Sequence, residues 1–248
     1  MPEQLALTRL LNHLFGPLVA AAMQAVGVHP AQPAAPIDNT FALELLVAGT
    51  LIAFFLVVRL TLSVEKPNPA QQLAEMIHEF TGSQAESVIG HGYERFQAFV
   101  TCILLFILLN NLFGLLMGVI RGVETPTASP AVPLGLAVLT FLYYNFYGVR
   151  EQGPIGYLKH FAGPIWWVSP LLFPVEIISH LARMMSLTIR LYANMLASDL
   201  LTLICFSMIP ILAPVAFLGL HVLVSVIQAY VFMLLAMIYL SMAVSHEH

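Results

Sequence analysis

Arg190 stands in the run SLTIRLYANMLASDLL, inside an apolar stretch from Ile177 to Phe217, and so carries a permanent charge at membrane depth. An arginine at the centre of a spanning helix costs roughly 2.5–3.5 kcal/mol on insertion scales, so it is retained where a partner or a water-filled path receives it. The groups around it have complementary chemistry. Asn194 is one turn further on, and Asp199 lies nine residues on, roughly 13 Å along a helix axis. In the next apolar stretch His221 precedes Gln228 by seven residues, roughly 10 Å. On the other side of Arg190, Glu176 and His180 share one helical face at i and i+4, with Arg183 close by.

A carboxylate and an imidazole can each gain and lose a proton near neutral pH, which suits a relay or a water-lined path. An arginine cannot titrate there, and it acts as a fixed positive gate that attracts a carboxylate. If the two stretches pair antiparallel about the bend from Pro210 to Pro214, Asp199 and His221 reach similar depth near the outer face. Arg190 and Gln228 then reach similar depth near the middle. Glu176 and His180 are placed for a second polar path toward the cytoplasm. Taken singly, Asn194 and Gln228 also fit interhelical hydrogen bonding worth under ~2 kcal/mol. His221 alone fits a packing histidine, and Glu176 with His180 fits an interfacial pair. Asn110 and Asn111 in LLNNLFGLLMG read as helix-pairing residues, and Trp166 with Trp167 as interfacial anchors.

These groups need a membrane-embedded frame, and the composition supplies one. Of 248 residues, 59% are hydrophobic and 9% charged, and the mean hydropathy is +0.88. That describes an all-α polytopic membrane protein, since a soluble domain carries roughly 25% charged residues. A net charge of -4 without a basic run excludes nucleic-acid binding. Cys102 and Cys205 have no disulfide or metal spacing and read as small buried apolar residues. No cofactor is indicated, and the absence of a Gly-rich phosphate loop argues against direct nucleotide binding.

Spans need about 20 mostly apolar residues, and five fit, at 41–62, 96–120, 132–149, 169–209 and 215–246. They form one transmembrane domain over 41–248. Residues 1–40 read as a retained interfacial helix followed by the Pro-rich linker HPAQPAAPID, in preference to a cleaved signal peptide, because Glu3 comes first and the basic region is a lone Arg9. The last two spans are too long to stand upright: 169–209 would extend roughly 60 Å against a core of about 30 Å, which predicts strong tilt in a hairpin. Residues 69–90 predict an amphipathic helix on the cytoplasmic surface, capped by Asn68 with Gln71 at the capping-box position. Leu73, Met76, Ile77 and Phe80 then share one face, as a plain linker or a docking face. Arg59, Lys66, Arg95, Arg150 and Lys159 flank one side and Arg121 alone the other, which puts the N-terminus outside and the C-terminus and the His160 loop inside.

At these residues the chain resembles subunit a of the F-type ATP synthases. SLTIRLYANMLASDLL is similar to that family's arginine signature, and HVLVSVIQAYVFMLLAMIYLSMA to its last helix. NNLFGL, TPTAS and GYLKHFAGP extend the likeness. Ala193 stands where the family usually has glycine, and Ser198 and Asp199 where its members vary. The resemblance implies a non-catalytic stator subunit in a bacterial inner membrane, partnered by a rotor c-ring, peripheral-stalk b subunits and the lipid bilayer. It implies that Arg190 faces the ring's carboxylate with Gln228 beside it. Asn194, Asp199 and His221 would line an outer half-channel for protons, and Glu176 with His180 an inner one. The rival expectations are a secondary transporter binding an anion at Arg190, which lacks an internal repeat, and a purely structural membrane protein.

Overall fold

The computed structural model describes residues 5–25, 36–121, 125–162, 169–208 and 212–244. Those residues form seven helices: α1 (Ala6–Ala25), α2 (Asn39–Leu60), α3 (Pro69–Ile89), α4 (Glu94–Arg121), α5 (Ala131–Ala162), α6 (Ser169–Met208) and α7 (Leu212–Val244). A 3-10 turn, Pro126–Ala128, lies between α4 and α5. Five helices, α2 and α4 to α7, are long and apolar enough to cross a membrane, and no strand occurs among the described residues. The all-helical, five-span architecture is the one the apolar runs dictate.

α1 and α2 are joined through backbone groups. The Asn12 side chain donates to the Ile37 carbonyl (2.9 Å) and accepts from the Ile37 N–H (3.0 Å). Asn39 accepts from Thr8 Oγ1 (2.8 Å) and the Leu5 N–H (3.1 Å). Asp38 caps α2 by accepting from the Phe41 N–H at 2.8 Å.

The capping of α3 differs from its sequence reading. Asn68 is the N-cap residue but makes no side-chain cap bond. Gln71 instead brackets Ser63, accepting from its N–H (3.0 Å) and donating to its carbonyl (3.1 Å), because an extended residue offers the amide both partners at once. Its packing is also inverted relative to a helix on a soluble protein. Leu73, Met76 and Phe80 face outward, while Gln71, Thr81, Gly82 and Ala85 are buried. Small and polar side chains let helices approach and bond where hydrocarbon is the solvent. Thr81 accordingly bonds Thr101 of α4 (2.8 Å), His78 meets Gln97 of α4 (3.1 Å), and Gln84 accepts from Tyr230 of α7 (2.9 Å).

α4 buries Phe96, Val100, Ile103 and Ile107 along one stripe against Ala229, Phe232, Met233 and Met237 of α7. Phe99 stacks on Tyr143 of α5 with ring centroids 3.7 Å apart. Gln152 of α5 donates to the Ala243 carbonyl of α7 (3.1 Å), and Arg95 of α4 pairs with Glu151. α5 breaks at Gly153 (φ 73, ψ 158) and resumes as helix to Ala162, so Lys159 and His160 lie on a helical segment instead of the expected loop. Glycine adopts that φ at no steric cost, and Pro154 suits the first turn of the resumed helix. Cys102 is exposed and Cys205 half-buried, against the expectation of burial. A weakly polar thiol gains little from burial when the surroundings are hydrocarbon. Trp166, Trp167 and the bend at Pro210 lie outside the described residues.

The 3-10 turn is pressed into α4 at Gly114. A Cβ there would stand 2.5 Å from Thr125 Cγ2, 2.8 Å from Thr125 Cα and 2.9 Å from Pro126 Cδ. Gly114→Ala is therefore expected to destabilise the protein by roughly 1–3 kcal/mol, the range for overpacking. A lower melting temperature of the purified complex checks it, and an unchanged one would show that the turn yields freely.

Candidate functional site

α6 and α7 run antiparallel in a single register. Arg183 lies over the ring of Tyr239 (5.8 Å), Asn194 Nδ2 donates to Gln228 Oε1 (3.0 Å), Ser225 Oγ is 4.0 Å from Met195 Sδ, and His221 Nδ1 is 3.7 Å from Asp199 Oδ1. Leu187, Leu191 and Met195 hold the register, spaced by four residues and buried against α7. The spacing argument brings Asp199 to His221, as the geometry has it. Gln228, however, bonds Asn194, and the register sets it about 3–6 Å nearer the hairpin than Arg190.

At the hairpin end, α7 and the turn before α5 both reach Asp199. Thr125 Oγ1 donates to Asp199 Oδ1 (3.0 Å), and the Thr125 N–H donates to Asp199 Oδ2 (3.3 Å). Thr127 Oγ1 donates to Asn111 Oδ1 of α4 (2.6 Å), whose amide reaches the Ser225 carbonyl of α7 (3.5 Å). Asn111 thus joins elements, whereas Asn110 bonds back to Phe106 of its own helix. His221 is 1% exposed, and neither ring nitrogen has a hydrogen-bond partner. Buried polar groups normally have one, so this imidazole beside a carboxylate is set apart from the satisfied packing residues around it.

At the far end of α6 a second acid–imidazole cluster forms. His180 Nε2 is 3.4 Å from Glu176 Oε1, and Arg183 Nη2 is 3.9 Å from the same oxygen. The Tyr144 hydroxyl of α5 lies 2.8 Å from His180 Nδ1, with both side chains buried. Tyr144 and Thr125 were absent from the spacing argument, since neither lies on the two helices it considered. The only sequence signal for Thr125 was its place in TPTAS.

Arg190 lies between the clusters, ten residues from His180 and nine from Asp199, or roughly 15 and 13 Å. It is half-buried and has no hydrogen bond or ion pair among the described residues. Ala182, Ser186, Ala193 and Ala197 are exposed on α6 to either side of it, so the surface beside the charge is shallow. Among the described residues no group of three or more metal-ligating side chains occurs.

Residues 41–241 match the family described as ATP synthase A chain. A protein of Koribacter versatilis, ATP synthase subunit a, is 50% identical over 248 residues, 100% of both chains. The Solibacter usitatus protein of that name is 44% identical over 90% of this chain and 93% of its own. That of Solidesulfovibrio magneticus is 34% identical over 93% and 96%. Similarity of this extent, over a chain with five spanning helices, leaves one assignment: the chain belongs to the F-type ATP synthase subunit a family.

Proposed function

We propose that this chain is the stator half of the proton channel, with two half-channels that end at different depths and are divided by Arg190. The observation that carries the reading is an arginine with no partner among the described residues, set between two separate acid–imidazole clusters. A proton enters from outside past His221 and Asp199, with Asn194 and Gln228 lining the way. It neutralises a carboxylate on a passing rotor helix, rides the ring, and leaves past His180 and Glu176 to the cytoplasm. Arg190 keeps an ionised ring carboxylate in its field and denies protons a direct route between the clusters.

The small exposed residues beside Arg190 admit a close approach by the ring's helices. The lengths of α6 and α7, roughly 60 and 50 Å, suit helices that tilt along a curved partner. Each charge moved across 100 mV supplies about 2.3 kcal/mol, and several per turn drive nucleotide chemistry in a catalytic head carried by other subunits. The distribution of basic side chains supports an N-terminus outside and a C-terminus in the cytoplasm, and the bacterial relatives support an inner membrane as the site. The same distribution supports α3 on the cytoplasmic side, where its exposed apolar face is open to a partner such as the peripheral-stalk b subunits. On the same reading α1 is an interfacial appendage to the spanning helices.

The test is passive proton flux in membrane vesicles from which the catalytic head has been stripped. Vesicles containing the chain are expected to dissipate an imposed pH gradient without any added solute, and vesicles lacking it to hold the gradient. Dissipation that required a co-transported anion would sink the proposal and restore the transporter reading.

A further inference from the structure

Thr125 comes from the turn before α5, yet it supplies two hydrogen bonds to one carboxylate 74 residues away. Its hydroxyl takes Oδ1 and its N–H takes Oδ2, which leaves the Asp199 carboxylate no freedom to rotate. Oδ1 is the oxygen that faces His221 Nδ1 at 3.7 Å. The turn itself is immobilised: Thr125 is 2% exposed, the Ala128 N–H bonds the Thr125 carbonyl (2.9 Å), and Thr127 is tied to Asn111. Through Asn111 the tie reaches Ser225, one turn from His221 on the same helix. Gly114 admits the backbone of Thr125 to contact distance. One turn therefore fixes an acid on α6 and, through α4, the helix carrying its imidazole.

We infer that Thr125 is a positioning residue for proton transfer in the hairpin-end half-channel, fixing the Asp199 carboxylate with one oxygen on His221. The inference rests on the half-channel reading above. Its physical basis is that hydrogen bonds to a charged group are among the stronger ones, and a carboxylate free to rotate loses the orientation on which proton transfer depends.

The test uses the assembled complex with Thr125→Val, which keeps shape and loses the hydroxyl, and Thr125→Ser, which keeps the hydroxyl. Passive flux is expected to fall roughly tenfold in Thr125→Val and to recover most of its rate in Thr125→Ser. A structural role alone would not move the infrared carboxylate band of Asp199, identified by its loss in Asp199→Asn. That band is expected to shift in Thr125→Val and return in Thr125→Ser. Wild-type flux in Thr125→Val, or an unmoved band, overturns the inference. If Arg190→Ala pumps normally, the half-channel reading fails first. If Arg190→Ala is inactive while Thr125→Val conducts as wild type, the positioning role alone fails.

Discussion

Membranes carrying Arg190→Ala are expected to assemble the complex and still fail to acidify the vesicle lumen when given ATP. The side chain makes no hydrogen bond or ion pair among the described residues, so its removal relieves an insertion cost instead of opening a core. What disappears is the one fixed charge between two titratable clusters. On the proposed reading a proton then needs no rotor movement to pass from the Asp199 side to the Glu176 side, and a ring carboxylate would have no reason to stay ionised between them. Arg190→Lys keeps a charge but exchanges a broad, weakly hydrated guanidinium for a compact, strongly hydrated ammonium, and it is expected not to restore the wild-type rate. ATP-driven quenching of a pH-sensitive dye measures both, with the amount of assembled complex as control. Normal pumping by Arg190→Ala would leave the central charge with no function in coupling.

The second large effect is expected at the hairpin end. His221→Ala combined with Asp199→Ala removes both titratable groups there, and flux should fall by at least about tenfold, the lower part of the range for positioned acid–base groups being higher still. Packing is separated from chemistry by the pair Asp199→Asn with His221→Gln, which keeps polarity and approximate volume but cannot exchange protons. If the groups act as a relay, this conservative pair is as slow as the double alanine variant. Wild-type flux in either double variant would remove the relay, and full activity in the conservative pair alone would reduce it to packing.

How far these groups could be read in advance follows from where they lie. Spanning helices announce themselves by length and apolarity, because unpaired backbone groups have no alternative in hydrocarbon. Asp199 and His221 could be matched from spacing because both lie within three turns of the hairpin, where little error accumulates. Gln228 was matched to Arg190 but bonds Asn194. Residues facing a neighbouring helix recur every three or four positions, so depth from spacing is good only to about one turn. α7 also begins at Leu212, which puts Pro214 inside its first turn and shortens the bend the spacing assumed. Thr125 was out of reach for another reason. No periodicity links a three-residue turn to a helix 74 positions later, and the close approach at Gly114 that brings them together is a tertiary fact. The same holds for Tyr144 on His180. The outward apolar face of α3 was legible as a stripe, but its direction depends on whether water or lipid lies outside.

Among the five described spanning helices α6 is the longest and the least enclosed: 11% of its most apolar part is buried, against 44% for α4. Its outer surface also presents Arg190, Ser186 and Asn194. A copy that has not met its partner must hold that charge against lipid, and each moment spent so carries the insertion penalty. An unpartnered copy is therefore expected to turn over faster than an assembled one, so that the exposed face of α6 itself ties the amount of the subunit to that of its complex.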